Sequence, residues 1–289
     1  MKNLKKVLAL VLVVATLMGF ATVASAKFSD AESIKYTEAV DVMSMLNVIN
    51  GYTDGSFRPT ANVTRAQMAK MVAYIVAGGE DVGNLYKGAN SFSDCTTHWA
   101  KGYIAYASKT GIVAGVGGGK FNPEGSVTGT QAAKMMLCAL GYDATFETYT
   151  GANWAVNVLN RANEIGLLDG LSGVDMSAAM TREQAAQMMF NALTCTMVKY
   201  ANGGTTIKGP DGWEINTGAS TAEEVKNSKA NDYRTNEEDR DEVMQLCEKY
   251  FSDLKLDDSA AAVDAFGRPS NEWTYDDDTV TASKTPARS

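Results

Sequence analysis

A block of this chain returns at a fixed step. Val63-Thr64 recurs 64 residues later as Val127-Thr128, and the same offset carries Phe57-x-Pro59 onto Phe121-x-Pro123, Gly51 onto Gly115 and Phe28-Ser29-Asp30 onto Phe92-Ser93-Asp94. A third, more worn copy sets Trp154 against Trp99, Gly166 against Gly111, Gly170 against Gly115, and Met180-Thr181-Arg182 against the Val-Thr pair. The units run over 28–78, 92–142 and 153–195. A helix pair of this size cannot bury its own apolar face, so tandem copies must bury it against one another.

Each unit reads as helix, glycine turn, loop, helix. Val40, Met43 and Leu46 recur at helical spacing and stop at Gly51; Tyr103, Ile104 and Ala107 stop at Gly111; Val158, Leu159, Ala162 and Ile165 stop at Gly166. Glycine at such stops fits a left-handed C-cap. The second helix opens on threonine, and Thr64-x-x-Gln67, Thr128-x-x-Gln131 and Thr181-x-x-Gln184 have capping-box spacing. The methionines behind them (Met68 and Met71, Met135 and Met136, Met188 and Met189) form stripes that read as core. The expected fold is mainly α: three helix-loop-helix repeats in a pseudo-threefold bundle, their first helices together at the hub, with ligand grooves between neighbours.

The N-terminus has the pattern of an export signal over 1–26. Lys2, Lys5 and Lys6 precede an apolar run from Val7 to Phe20, and Ala24-Ser25-Ala26 is a small-residue cleavage site. That run is short for a membrane span, so no membrane attachment is expected after cleavage. Without the three signal lysines, 23 basic residues face 34 acidic ones, a net charge of −11. Such a surface repels phosphate backbones and argues against nucleic acid as a partner. Cys95, Cys138, Cys195 and Cys247 are widely spaced beside a single histidine, His98, so no metal site is expected and buried free thiols are the preferred reading.

These motifs resemble the S-layer homology domain, a repeat of bacterial surface proteins. The likeness rests on Phe92-x-Asp94 with Trp99, on Gly51-Tyr52-x-Asp54-Gly55-x-Phe57-x-Pro59 and on the Thr-Arg-Ala-Gln run at 64–67, and spans about 28–195. It implies a secreted protein of the cell wall or surface that holds an anionic, often pyruvylated, secondary cell-wall polysaccharide noncovalently in grooves between repeats. The resemblance places ligand-binding roles on Arg65 and Arg182, with Thr64, Thr181, Gln67, Gln184, Gly51, Tyr52 and Trp99 around them. A planar carboxylate on the sugar suits arginine, whose two parallel N–H groups grip it, at a helix start where backbone N–H groups add positive potential. Alanine at both arginines should then remove wall binding and leave unfolding almost unchanged.

Other readings stand beside these. Arg65 and Arg182 also fit solvated or acid-paired helix-start residues, Trp99 and Trp154 fit hub packing, and Tyr52 fits either role. Asp30, Asp54 and Asp94 read as turn and cap residues. Copy two has Gly129 in place of the arginine and Val116 in place of the tyrosine, and copy three lacks Phe-x-Pro. Fewer than three working grooves are expected, the copy-two site being weakest. With no nucleophile, paired-carboxylate or phosphate-binding motif, the chain reads as a non-enzyme without cofactor or metal. The alternative function is a surface-layer subunit that self-associates through its tail.

That tail, 196–289, reads as small and α+β or partly disordered. Thr205–Thr217 around Pro210-Asp211-Gly212 has hairpin chemistry, Ala219–Asn236 is linker-like, and Glu237–Leu254 has one apolar helical face. A strand at Trp273–Tyr275 and a polar terminus follow. The helix wants a partner surface that a short tail barely supplies, as it would in an abbreviated version of a longer protein.

Overall fold

The computed structural model describes residues 28–89, 92–200 and 221–284, and the backbone of strands at 205–208 and 214–217. The signal read at 1–26 and the Pro210-Asp211-Gly212 turn lie outside the described residues. Three helix pairs come first. They are α1 (Thr37–Met45) with α2 (Arg65–Val76), α3 (Lys101–Lys109) with α4 (Gly129–Ala139), and α5 (Trp154–Glu164) with α6 (Arg182–Thr194). All three second helices open on complete capping boxes: Thr64, Thr128 and Thr181 hydroxyls accept from the backbone N–H of Gln67, Gln131 and Gln184, whose Oε1 atoms accept in return. Such a cap contributes about 1 kcal/mol.

The loops just before these caps close a ring. Val63 N–H donates to the Met180 carbonyl, Met180 N–H to Val127 and Val127 N–H to Val63, each at 2.9 Å. Two residues on, the N–H groups of Arg65, Gly129 and Arg182 donate to the carbonyls of Gly125, Ala178 and Ala61. Pair one thus leans on pair two, two on three and three on one, the three-way arrangement expected of stacked repeats.

The hub differs from the expectation. α2 packs on α4 and α4 on α6, while each first helix lies outside, against the second helix of another pair: α3 on α2, α5 on α4 and α1 on α6. The reason is how much of each helix is apolar. Helix α2 buries Ala66, Met68, Ala69, Met71, Val72, Ala73, Ile75 and Val76, whereas α1 buries one face of Ala39, Val40, Val42 and Met43. A helix apolar round most of its circumference is stable only when surrounded. A second correction concerns the stop in pair one. Asn47, at φ 57°, takes the left-handed position that Gly111 and Gly166 take in the other pairs, and Gly51 lies beyond it. Asparagine tolerates that conformation through local side-chain bonding.

The tail is ordered where composition reads as linker. β1 (Val198–Tyr200) follows α6 and pairs with β4 (Ala222–Glu224), and β2 (Thr205–Lys208) and β3 (Glu214–Thr217) form the expected hairpin. Of the amphipathic helix expected over 237–254, only α7 (Leu246–Tyr250) is α-helical, with a single 3-10 turn at Glu237–Asp239. Val243 bridges Lys226, and Met244 trades backbone bonds with Val225 and Met197, so that stretch joins a sheet edge instead. Residues 255–283 likewise form regular structure. β5 (Lys255–Asp257), β6 (Ser270–Tyr275) and β7 (Asp278–Ser283) form an antiparallel sheet in which Trp273 sits between Leu256 and Val280. Leu246, Phe251, Leu254 and Trp273 belong to one apolar core with Met43, Leu46 and Met189, which supplies the partner surface that the tail alone lacks.

Candidate functional site

Arg182 is the first residue of α6, fixed there by the Thr181 cap. Its side chain crosses to pair one, where Nε donates to the Phe57 carbonyl at 2.8 Å and Nη2 to the Asn50 carbonyl at 2.9 Å. Its Cζ lies 4.8 Å from the ring centroids of both Phe57 and Tyr52. Arg65 repeats the geometry against pair two, with Nε on Phe121 O at 2.8 Å, Nη2 on Ala114 O at 2.9 Å and Cζ 4.5 Å from the Phe121 ring.

Both arginines are only 6% exposed, so neither is a solvated surface residue. Among the described residues the ion-paired arginines are Arg58, Arg161, Arg234, Arg240 and Arg268, and neither groove arginine belongs to that set. Burial lowers the pKa of each, opposed by the field of Asp94 at Arg65 and of Tyr52 and Asp30 at Arg182. Those aspartates are already engaged: Asp30 accepts from the N–H groups of Phe57 and Arg58, and Asp94 from those of Phe121 and Asn122. They clasp the loops whose carbonyls the arginines hold.

The third junction is closed. Gly129 stands where the arginine would be, and a Cβ there would lie 2.6 Å from the Met176 sulfur and 3.0 Å from its Cα. Met176 takes the place of Pro59 and Pro123, since its carbonyl accepts from Thr130 N–H as theirs do from Glu183 and Ala66. Only the junctions at Arg65 and Arg182 keep a guanidinium.

The other residues singled out in the sequence divide. Thr64, Gln67, Thr181 and Gln184 are engaged in their caps, beside the arginines. Gly51 lies under Phe28, where a Cβ would come 2.6 Å from the ring. Tyr52 meets Arg182 and also Arg58, whose Cζ is 4.0 Å from its ring. Trp99 is 53% exposed, with His98 and Tyr103 as ring neighbours, which overturns hub packing for it. Trp154 packs on the core beneath Lys134. His98 bonds Glu124 at 2.6 Å. Sequence reasoning missed Arg58 and the carbonyls of Asn50, Phe57, Ala114 and Phe121. Two depressions, about 270 Å³ where the ends of α2, α3 and α4 meet the tail and about 430 Å³ between α1 and β7, are not lined by Arg65 or Arg182. Among the described residues no cluster of three histidine, cysteine or acidic side chains is placed to hold a metal, and no helix is long and apolar enough to cross a membrane.

A family profile described as the S-layer homology domain matches residues 27–69 and 91–133, which hold the first helix, turn and second-helix start of pairs one and two. Pair three lies outside both matches. The chain is 35% identical over 218 residues to a protein of Thermoanaerobacter kivui named "Cell surface protein", covering 73% of this chain and 27% of that one. It is 27% identical over 172 residues to the "Middle cell wall protein" of Brevibacillus brevis, covering 59% and 16%. It is 29% identical over 154 residues to a Bacillus anthracis protein named as an uncharacterized cell wall amidase, covering 50% and 28%. The chain therefore spans between 16% and 28% of these relatives' lengths.

Proposed function

We propose that this cell-surface chain, with two stretches that match the S-layer homology profile and relatives named for the cell surface and wall, is held at the wall by binding an anionic wall polysaccharide at the Arg65 and Arg182 junctions. Pair three is, in this reading, a diverged third copy of the same domain, since it repeats the cap, the ring bond and the cross-junction arginine. The binding is noncovalent, with no bond made or broken.

One observation carries the proposal: two guanidiniums, each 6% exposed, hydrogen-bond to neutral carbonyls and lie beside no carboxylate within ion-pair distance among the described residues. A buried charge compensated only by dipoles is costly, and a carboxylate arriving from outside relieves that cost. Arginine has five N–H donors. The bonds across each junction use Nε and Nη2, which leaves the donors of Nη1 for a ligand carboxylate, as on a pyruvate ketal. At Arg182, Tyr52 and Arg58 add a second guanidinium and a fixed ring, making this the stronger groove.

Sedimentation with isolated cell-wall sacculi tests the proposal. The protein should pellet with intact sacculi and stay in solution once the secondary polymer is chemically stripped. Arg65→Lys with Arg182→Lys keeps the charge but loses the fork, and should reduce pelleting while circular dichroism shows the variant folded. Pelleting that survives polymer removal would refute the proposal, and pelleting without any wall would favour a self-assembling surface-layer subunit.

A further inference from the structure

Three junctions close the ring of helix pairs, and the chain itself spans only two of them. Residues 77–100 link pair one to pair two, and 140–153 link pair two to pair three. Nothing in the connectivity ties pair three back to pair one, yet that junction holds Arg182. The tail sheet lies across it. Trp273, 2% exposed, donates Nε1–H to Glu38 Oε1 on α1 at 2.8 Å, and its ring meets Phe190 of α6 edge-on at 5.4 Å. Asn271 Nδ2 donates to the same oxygen at 2.9 Å, and the ring of Tyr233 stacks on Trp273 at 6.2 Å.

One turn before Glu38 the contact reaches the groove. Lys35 N–H donates to Glu183 Oε2 at 2.7 Å, and Glu183 follows Arg182. Trp273 therefore bonds α1 and packs on α6, the two helices whose seating sets where Arg182 meets Asn50 and Phe57. The corresponding place between α2 and α3 carries Lys70 between Tyr74 and Tyr103, and among the described residues no strand packs extensively on these two helices.

We propose that Trp273 and Asn271, acting through Glu38, are positioning residues for the Arg182 groove: the tail clasps the one junction that the chain does not connect. The Arg65 groove, between chain-linked pairs, does not depend on them. The binding half of this inference rests on the wall-polymer reading; the structural half does not.

Two measurements on the full chain test it. The first is amide hydrogen exchange in Trp273→Phe, which keeps the ring and loses the donor, and in Glu38→Ala, with Glu38→Gln as the conservative rescue because it keeps the acceptor. Exchange at Lys35, Arg182 and Glu183 should rise about tenfold, the scale of a lost charge-assisted bond, while Arg65 and Ala66 stay unchanged. The second is titration with a synthetic pyruvylated mannosamine saccharide. In an Arg65→Lys background Trp273→Phe should weaken binding about tenfold, and in an Arg182→Lys background it should leave binding as it was. Equal changes at both junctions, or no change at either, overturn the proposal. If the saccharide binds no form of the protein, the wall-polymer reading falls, and the exchange data alone decide whether the clasp exists.

Discussion

Arg182 and Asn50 are 132 positions apart in sequence, and Nη2 of the first donates to the carbonyl of the second at 2.9 Å. Arg65 and Ala114 make the same bond at the neighbouring junction. Each arginine is thus a fastener between helix pairs before it is anything else. Any ligand role must be carried out by a side chain that is already holding the fold.

Alanine at either position should therefore destabilise the protein, contrary to what the sequence leads one to expect. Arg182→Ala strands two carbonyls that have no other donor among the described residues and empties a buried site. The cost should be about 2 kcal/mol, or roughly 5 °C in Tm for a chain of this size. Scanning calorimetry checks this, and a Tm within a degree of wild type would show that the cross-junction bonds contribute little.

Gly129 marks the junction that has lost its arginine. Restoring the side chain there does not restore a groove, because Met176 fills the space, its sulfur 2.6 Å from where a Cβ would sit. Gly129→Ala should cost about 1–2 kcal/mol through overpacking. Met176→Ala should relieve part of it, since the thioether can be removed while the backbone approach at 3.0 Å remains. A double-mutant cycle in urea measures the coupling; strict additivity would mean that the two residues do not compete for the same space.

Which features were legible in the sequence follows from how local their causes are. The capping boxes at Thr64, Thr128 and Thr181 need only residues three apart, and the methionine stripes only helical spacing. The loop clasps of Asp30 and Asp94 and the carbonyl partners of Arg65 and Arg182 join positions far apart, and a backbone carbonyl has no residue type to announce it. The hub was readable in principle. Apolar positions run round most of α2 but along one face of α1, and that comparison, rather than the repeat order, decides which helix goes inside. In the tail, the spacing of Val243, Leu246, Cys247, Phe251 and Leu254 fits a long helix equally well as a bridge, one turn and a return strand. The choice is made by the backbone N–H of Met197, which donates to Met244, and the carbonyl of Val225, which accepts from it; the local pattern contains neither.

Acid should release the loop clasps. The N–H of Phe57 leads in holding the Asp30 carboxyl below the usual carboxylate range. At Asp94 burial pushes upward and is outweighed by the N–H groups of Phe121 and Asn122. A carboxyl whose folded pKa lies below its unfolded value contributes stability that is complete above the unfolded pKa and disappears as pH falls through the folded one. Wild type should thus lose its advantage over Asp30→Asn/Asp94→Asn between about pH 4 and pH 2. Thermal melts across that range should converge; parallel curves down to the lowest pH would show that the charge on these carboxyls is immaterial.

The four thiols offer a way to time the detachment of the tail. Burial raises the pKa of Cys138 to about 11, that of Cys195 to about 12 and that of Cys247 well above the ordinary thiol range. Cys95 stands at about 11, raised by burial and by Asp94. At pH 8 a thiol of pKa 11 is ionised in roughly one molecule per thousand, and only the thiolate reacts. Native protein should react slowly with a disulfide reagent at all four positions, and denatured protein at once. Cys247 lies buried in α7, which packs on α6, whereas Cys95 lies in pair two, so their rates report different openings. If the tail lifts off before the helix pairs part, Cys247 should be labelled faster than Cys95, and Trp273→Phe should widen the gap. Equal rates at the two sites, unaltered by that substitution, would mean that tail and helix pairs open as one cooperative unit.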